Sequence, residues 1–273
     1  MNSPMPIKTE RILSDPSICI DHAGEGELLV MMHGIGGNRT NWTGQIETFS
    51  PHFRAVAWDA RGYGDSDDYE GPLDFADFAR DLLKLLDHFG AAKAHICGLS
   101  MGGRIAQDFY RMYPERVRTL TLVATFSGFR RLADAERQRF LDLRLRPLRD
   151  GGKEPRDIAP VVAKTLLGPQ ASDEHFQRLV QSMERLHKES YIKTIEETTV
   201  YDQALDLSTV QVPTLLVFGE NDTLTPPAVG KSMAEQIEGS RYVEVPRSGH
   251  LINIEEASLF DEAVLAFLLA NSG

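Results

Sequence analysis

The fold of this chain is decided by residues 94–102, which read AHICGLSMG. The first part of the stretch is apolar with a β-branched centre at Ile96, which predicts a buried strand. The residues after Met101 have the pattern of a helix. Between the two lies G-x-S-x-G, whose glycines suit a turn too tight for larger side chains. The stretch therefore predicts a strand–turn–helix unit that holds Ser100 exposed in a strained backbone conformation.

The composition is typical of a soluble globular protein. Of the 273 residues, 42% are hydrophobic and 25% are charged, which are ordinary values. This length suits one large α/β domain with an insertion, or two modest domains. The formal net charge of −11 argues against nucleic acid as the main partner.

The cysteines and the N-terminus indicate where the protein works. Cys19 and Cys97 cannot form a disulfide framework, and Cys97 lies in the predicted buried strand, so we interpret both as reduced thiols. No spacing of Cys and His typical of metal ligands is present, and we predict no metal site. Residues 1–10 lack an apolar core of signal-peptide length, and the nearest apolar run, 28–32, is too short to span a bilayer. These features favour a cytoplasmic protein without membrane association.

Strands and helices alternate in the first 124 residues and again from residue 213 onward. Between them, several amphipathic helices follow one another without an evident buried strand. The alternation favours a parallel sheet with helices on both faces. Apart from the two elements around Ser100, the predicted strands cover residues 8–13, 17–22, 28–32, 53–58, 117–124, 214–218 and 241–245, and the predicted helices cover 38–49, 74–89, 131–147, 156–167, 172–187, 189–202, 227–237 and 254–270.

The helical stretch in the middle of the chain predicts an insertion. We assign residues 1–124 and 206–273 to an α/β core, and residues 125–205 to a helical cap. A helical excursion inside an α/β chain is most simply placed over the carboxyl ends of the strands. Open α/β sheets bind their ligands at that edge, so we expect the cap to cover the functional site.

Ser100 needs a base to act as a nucleophile, and the base needs a third group that orients it. His250 and Asp222 each follow a predicted strand, so both are expected at the sheet edge that holds Ser100. The order Ser100, Asp222, His250 is the order of nucleophile, acid and base that accompanies a G-x-S-x-G turn. We therefore predict these three residues as a catalytic triad. Glu220 is a rival acid, and His33 is a rival base for which we predict a structural role instead.

Cleavage of an acyl compound also requires donors for a developing oxyanion. The N–H of Met101, directly after the nucleophile at the start of a helix, is the first candidate. The second donor should come from the loop after an early strand. The glycine loop at residues 33–36 supplies such a position, and we predict the N–H of Ile35 as the second donor.

The motifs resemble those of the α/β-hydrolase superfamily, over residues 25–124 and 205–270. The resemblance implies a mostly parallel eight-stranded sheet flanked by helices, with a helical cap insertion. It also implies a structural role for the turn at residues 59–66. The matching motifs are His33-Gly34-Ile35-Gly36, Asp59-x-Arg61-Gly62-x-Gly64-x-Ser66, Gly98-x-Ser100-x-Gly102, Asp222 and Gly249-His250.

Within the superfamily, residues 225–230 and 249–255 resemble 3-oxoadipate enol-lactonases and small carboxylesterases. Hydrolases that cleave carbon–carbon bonds in meta-cleavage products are similar, but commonly carry a tryptophan where this chain has Leu251. Haloalkane dehalogenases and soluble epoxide hydrolases have an aspartate at the position of Ser100 and are disfavoured. Cofactor-free haloperoxidases and acyltransferases share the triad and stay open. The intact triad disfavours a non-catalytic binding protein.

We predict a cofactor-independent serine hydrolase that cleaves a small ester or enol-lactone through an acyl-enzyme. The predicted cap carries nearly equal numbers of basic and acidic residues, whereas the rest of the chain is acidic. Arginine is suited to bidentate binding of a carboxylate, so an anionic substrate would fit. Alternatively, these arginines are solvated and pair along their helix with Asp134, Glu136 and Asp142. The sequence leaves the oligomeric state open. The arginines at the start of the cap are Arg130, Arg131, Arg137, Arg139, Arg144, Arg146 and Arg149.

Overall fold

The computed structural model describes residues 5–128 and 134–273. These residues form one sheet from eight strands: β1 (Lys8–Ile12), β2 (Ile18–Ala23), β3 (Leu28–Met32), β4 (Arg54–Trp58), β5 (Ala94–Leu99), β6 (Val117–Val123), β7 (Thr214–Gly219) and β8 (Arg241–Val245). The strand order is β1-β2-β4-β3-β5-β6-β7-β8. β2 pairs antiparallel with β1 and β4, and the other neighbouring pairs are parallel. The predicted mostly parallel sheet of eight strands is confirmed.

Helices pack on both faces of the sheet, each set over its own hydrophobic cluster. One face carries α2 (Ala76–His88), α3 (Met101–Met112) and α9 (Pro227–Gln236), and the other carries α1 (Thr43–Phe49) and α11 (Ala257–Ala270). All five residues of β3 are buried. A strand covered on both faces is apolar throughout, and for this reason β3 could be recognised in the sequence as a continuous run.

Within the described residues, the segment between β6 and β7 forms the helices α4 (Asp134–Arg144), α5 (Arg146–Arg149), α6 (Pro155–Leu166), α7 (Asp173–Glu184) and α8 (Lys188–Val200). Where the sequence predicts one helix over residues 131–147, the structure has two, α4 and α5, separated at Leu145; residues 129–133 lie outside the described part of the chain. α6 packs on α7, and α4 packs on α6 and α8. No helix of the described residues is both long and apolar enough to cross a membrane.

The end of the chain differs from the single helix predicted over residues 254–270. The structure has a short helix α10 (Ile252–Glu255) followed by α11, with a break at Glu256, where φ is −131° and ψ is 54°. The carboxylate of Glu255 accepts the backbone N–H groups of Gly168, Gly249 and Leu251 at 2.7, 3.0 and 3.0 Å. These bonds tie α10 to the loop that follows β8, whereas α11 packs along the sheet, so the two helices do not continue into one another.

The two cysteines lie apart in the sheet, Cys19 in β2 and Cys97 in β5. Both are buried free thiols, in agreement with the interpretation as reduced thiols. Burial raises the pKa of the Cys97 thiol well above its usual value, so this thiol is protonated at neutral pH. A protonated, buried thiol is chemically inert, and we assign Cys97 a packing role.

Candidate active site

Ser100 occupies the turn between β5 and α3. Its backbone has a φ of 55° and a ψ of −112°, and a positive φ is uncommon for a residue other than glycine. Two hydrogen bonds hold the turn: the N–H of Ser100 donates to the carbonyl of Val123 at 2.8 Å, and the hydroxyl of Thr125 donates to the carbonyl of Ser100 at 2.7 Å. β6 and the residues after it thus fix the strained conformation that the G-x-S-x-G pattern predicts.

Gly102 lets α3 begin immediately beside β3. A Cβ atom at this position would lie 2.3 Å from the carbonyl oxygen of Met32 and 2.9 Å from that of His33. Both obstacles are backbone atoms, which cannot turn aside as the end of a flexible side chain can. The close approach of helix and strand, and hence the position of Ser100, therefore requires glycine here.

We expect the substitution Gly102→Ala to lower the free energy of unfolding by about 3 kcal/mol, because the methyl group overpacks a contact between backbones. Gly44 in α1 is the matched control, because a Cβ there would meet nothing within 4 Å. Gly44→Ala should leave the stability unchanged or raise it by up to ~1 kcal/mol, since alanine is the better helix former. Urea unfolding followed by circular dichroism measures both. Equal stabilities for the two variants would contradict the packing described for the turn.

His250 and Asp222 are hydrogen-bonded to each other at the carboxyl ends of β8 and β7. The Nδ1 atom of His250 lies 2.8 Å from Oδ2 of Asp222, and both side chains are buried. The hydroxyl of Thr225 donates to the same Oδ2 at 2.6 Å and lies 3.2 Å from Nδ1 of His250. The N–H groups of Leu224 and Thr225 donate to Oδ1 of Asp222 at 2.8 and 3.0 Å. The structure therefore brings the predicted acid to the predicted base and saturates the carboxylate with donors.

The electrostatics favour an ionised Asp222. Burial by itself raises the pKa of this carboxyl, but the imidazole of His250 and the hydrogen bonds from Thr225 outweigh it, so the pKa of Asp222 lies below its usual value. Glu220, the rival acid, is exposed and accepts the N–H of Arg247 at 2.9 Å. The carboxylate of Glu220 is thus engaged away from His250.

Both ring nitrogens of His33 are bonded to the backbone. Its Nε2 accepts the N–H of Ala60 at 3.1 Å, and its Nδ1 donates to the carbonyl of Gly34 at 2.9 Å in the tautomer that this pairing requires. The ring packs against Tyr63 with 4.9 Å between centroids, and burial lowers the pKa of His33. These bonds leave neither nitrogen to act on Ser100, in line with the predicted structural role.

The loop after β3 forms a tight turn beside Ser100. The N–H of Gly37 donates to the carbonyl of Gly34 at 2.9 Å, and Gly36 has a φ of 89°, as the third residue of a type II turn requires. A Cβ atom at Gly34 would lie 3.1 Å from the Cβ of Ser100, so the turn contacts the nucleophile directly. Ile35 is the second residue of the turn, and its N–H takes no part in the hydrogen bond that closes it.

Met101 begins α3 immediately after Ser100. The first N–H groups of a helix have no partner inside the helix, and the helix dipole adds partial positive charge there. The side chain of Met101 is buried, and the hydroxyl of Tyr63 lies 3.9 Å from its sulfur. The local structure thus suits the predicted role of the Ile35 and Met101 amides as oxyanion donors, which stays a prediction.

Ser100 and His250 line one cleft. The glycine loop forms one side of it, and Leu179, Ser182 and Met183 of α7 lie on another. Ser100 is only 9% exposed. The expectation of an exposed serine is therefore corrected: the turn presents Ser100 to the cleft, and residues of α6 and α7 help to line that cleft.

The arginines near the start of the inserted segment lie away from this cleft wherever the structure describes them. Arg139 and Arg144 line a separate surface cleft that shares Leu224 with the first. Arg130 and Arg131 lie outside the described residues. The other three described arginines form ion pairs: that of Arg137 is within one helix, as on a solvated helix face, that of Arg146 is four residues along the chain, and that of Arg149 joins α5 to α8. The pairs are Arg137–Asp134, Arg146–Asp142 and Arg149–Glu196.

Four further residues contribute to the site and were not assigned a role from the sequence. Asn41, Trp42 and Asn253 line the cleft, and Glu255 holds the backbone on both sides of His250. Trp42 follows the glycine loop and Asn253 follows His250 closely, so their position near two predicted functional segments was the available signal. Glu255 ends the stretch 249–255 that carries the resemblance to enol-lactonases, but no local pattern in the sequence predicts its hydrogen bonds to the backbone around His250.

The chain is similar over most of its length to several characterised or named proteins. It is 29% identical to RutD of Azorhizobium caulinodans, provisionally named a carbamate hydrolase, over 93% of this chain and 95% of that protein. It is 27% identical to 3-oxoadipate enol-lactonase 2 of Acinetobacter baylyi, over 94% of this chain and 95% of that enzyme. The structure of a thermophilic esterase from Thermogutta terrifontis matches with a TM-score of 0.86 and 25% identity, covering 97% of this chain and 100% of that one.

A family model agrees with these similarities. The model for the alpha/beta hydrolase fold matches residues 27–257, which include the glycine loop, the Ser100 turn and the loops that carry Asp222 and His250. The observed sheet, with its single reversed strand β2 among the described strands, and the arrangement of helices on both faces fit the same assignment. This chain belongs to the alpha/beta hydrolase fold family.

Proposed function

We propose that this protein is a serine hydrolase that cleaves a small ester or lactone through an acyl-enzyme. The observation that carries the proposal is the 2.8 Å contact between Nδ1 of His250 and Oδ2 of Asp222, on a histidine that lines the same cleft as Ser100. A histidine oriented by an ionised carboxylate is the base that a serine hydroxyl needs. The similarity to an enol-lactonase and an esterase supports the substrate class.

In the first half-reaction, Oγ of Ser100 attacks the carbonyl carbon while Nε2 of His250 accepts the hydroxyl proton. Asp222 holds the Nδ1–H of the imidazole, which keeps Nε2 unprotonated before the attack and stabilises the imidazolium after it. His250 then gives the proton to the leaving oxygen as the carbon–oxygen bond breaks. In a lactone that oxygen stays attached to the acyl chain, so acylation opens the ring.

In the second half-reaction, His250 accepts a proton from water, and the hydroxide adds to the acyl carbon. Collapse of this second tetrahedral intermediate breaks the bond to Oγ of Ser100, which recovers its proton from His250, and the carboxylic acid leaves. The N–H groups of Ile35 and Met101 stabilise the negative oxygen in both intermediates. Loss of one such donor typically lowers kcat by about 100- to 1000-fold.

The cleft supports an uncharged substrate. Within the described parts of the chain, none of the residues that line the cleft is aspartate, glutamate, lysine or arginine. A carboxylate buried there would lack a cationic partner, which is costly in an apolar environment. The prediction of an anionic substrate therefore gains no support from the described arginines, and we propose a neutral ester or lactone.

Active-site titration with diethyl p-nitrophenyl phosphate tests the proposal. We expect about one p-nitrophenolate per chain, transfer of the diethylphosphoryl group to Ser100, and parallel loss of p-nitrophenyl butyrate hydrolysis, because only an activated serine displaces such a leaving group. Ser182 lines the same cleft and is an internal control in the peptide mass analysis. Labelling of Ser182, or absence of turnover on p-nitrophenyl esters and on a panel of lactones, would contradict the proposal.

A further inference from the structure

The loop that carries His250, residues 247–251, is held between the sheet and the inserted helices. On the side of the sheet, the N–H of Asn221 donates to the carbonyl of Ser248 at 2.9 Å, which joins the loop to the one that follows β7. On the other side, the N–H of His250 itself donates at 2.8 Å to the carbonyl of Leu166, the last residue of α6. The backbone of His250 is therefore bonded directly to the inserted segment.

Two glycines bring the backbones at this junction into contact. A Cβ atom at Gly249 would lie 2.3 Å from the backbone nitrogen of Gly168 and 2.8 Å from the carbonyl oxygen of Leu166. Conversely, a Cβ atom at Gly168 would lie 2.7 Å from the backbone nitrogen of Gly249. Neither glycine has a positive φ, so both are needed for space and not for an unusual backbone conformation. The junction thus has no room for a side chain that could absorb a movement of one backbone against the other.

The carboxylate of Glu255 completes the junction. Its Oε2 accepts the N–H groups of Gly168 and Gly249 at 2.7 and 3.0 Å, and its Oε1 accepts that of Leu251 at 3.0 Å. Hydrogen bonds to a carboxylate are roughly twice as strong as those between neutral groups. One side chain therefore fixes the residue before His250, the residue after it, and the start of the connection between α6 and α7.

We propose that this junction makes the end of α6 part of the support of the catalytic base, with Glu255 as the positioning residue of His250. The imidazole must meet Asp222 at Nδ1 and Ser100 at Nε2, so a shift of the His250 backbone disturbs both contacts at once. A misplacement of about 1 Å can slow a reaction by about 100-fold. The inference deepens the proposed function and rests on it for the identity of His250 as the base.

The substitution Glu255→Gln tests the carboxylate. An amide has a single accepting oxygen, which would take the position that receives two N–H groups, so its NH₂ group would face the N–H of Leu251 and that bond would be lost. We expect kcat for p-nitrophenyl butyrate to fall by about 10- to 100-fold. KM should change by less than about threefold, because Glu255 does not line the cleft and acts through His250 alone.

Glu256→Gln is the matched control. It makes the same chemical change one residue later, on a carboxylate that is paired with the guanidinium of Arg247 at 2.9 Å. Arg247 belongs to the same loop as His250, so the control also removes a charged contact of that loop, but one at the surface, where an ion pair contributes little. Both kcat and KM should change by no more than about twofold.

Gly168→Ala tests the contribution of the inserted segment. The added methyl group would push the connection after α6 away from Gly249, while every side chain of the triad and Glu255 stays unchanged. We again expect kcat to fall by about 10- to 100-fold. Gly44→Ala, which adds a methyl group where nothing lies within 4 Å, should keep the wild-type kcat. Circular dichroism checks that Gly168→Ala folds; if it does not, Glu255→Ala, which removes the bond to Gly168 without adding bulk, takes its place.

A spectroscopic measurement distinguishes failure of this inference from failure of the proposed hydrolysis, because it needs no turnover. Long-range ¹H–¹⁵N NMR spectra of protein labelled at histidine report which ring nitrogen carries the proton, and the variant His250→Ala identifies the signals of His250. In the wild type and in Glu256→Gln we expect a single neutral tautomer with the proton on Nδ1, the atom that Asp222 holds. In Glu255→Gln and Gly168→Ala we expect a mixture of both tautomers, because the bond to Asp222 is no longer fixed.

Mixed tautomers in Glu255→Gln and Gly168→Ala would support the junction even if the protein hydrolyses no ester. A single Nδ1–H tautomer in both variants would overturn it, whatever their kinetics. A loss of kcat in Glu256→Gln as large as that in Glu255→Gln would also overturn it, since any change of charge near the loop would then have the same effect. Mixed tautomers in Glu255→Gln with wild-type behaviour of Gly168→Ala would overturn the part assigned to the inserted segment.

Discussion

Replacement of Ser100 by alanine is expected to lower kcat for p-nitrophenyl butyrate by about 10⁶-fold, the scale of a lost nucleophile in a serine hydrolase triad. The reason is chemical, since the remaining groups can bind the ester and polarise its carbonyl but cannot form the acyl-enzyme. The alanine replaces a side chain that is 9% exposed and leaves the backbone bonds to Val123 and Thr125 in place. The unfolding temperature should therefore stay close to that of the wild type.

The same prediction extends to His250, because base and nucleophile act as a unit. His250→Ala alone should cost about as much as Ser100→Ala, and the double variant should be no slower than either single variant. Steady-state kinetics on the three purified variants measure this. Wild-type protein that has been inactivated with diethyl p-nitrophenyl phosphate gives the background rate. Losses that multiply in the double variant would show that His250 acts independently of Ser100 and would contradict a triad.

The strands of the core could be predicted because burial on both faces leaves a clear signal. β3 is predicted at residues 28–32 and observed at Leu28–Met32, because all five of its residues are apolar and buried. The predicted ends of the strands also indicate which candidate residues meet. Residues that follow different parallel strands reach one edge of the sheet, and Asp222 and His250 are hydrogen-bonded there although 28 residues separate them.

The lining of the cleft could not be predicted, because it depends on contacts between distant segments. Asn253 and Asn41 are 212 residues apart and are joined by one hydrogen bond of 3.0 Å. The hydroxyl of Ser182 in α7 donates to Oδ1 of the same Asn41 at 3.2 Å, and neither contact has a local pattern in the sequence. The break between α10 and α11 likewise depends on the carboxylate of Glu255, which binds Gly168 in the inserted segment.

Asp222→Asn is expected to lower kcat by about 10⁴-fold, because the wrong imidazole tautomer would be stabilised. The contacts of Asp222 decide which way the new amide turns. Oδ1 accepts the N–H groups of Leu224 and Thr225, so the carbonyl of the asparagine would take that position and its NH₂ group would face Nδ1 of His250. The imidazole would then carry its proton on Nε2 and could not accept the proton of Ser100.

Glu220→Gln is the matched control for this prediction. It makes the same chemical change two residues earlier, on an exposed side chain that accepts the N–H of Arg247, and kcat should change by no more than about twofold, as for a surface substitution. Kinetics at pH 7 are decisive, because the pKa of Asp222 lies below its usual value and the wild-type carboxylate is ionised there. A large loss in Glu220→Gln together with a small loss in Asp222→Asn would reassign the acid of the triad to Glu220.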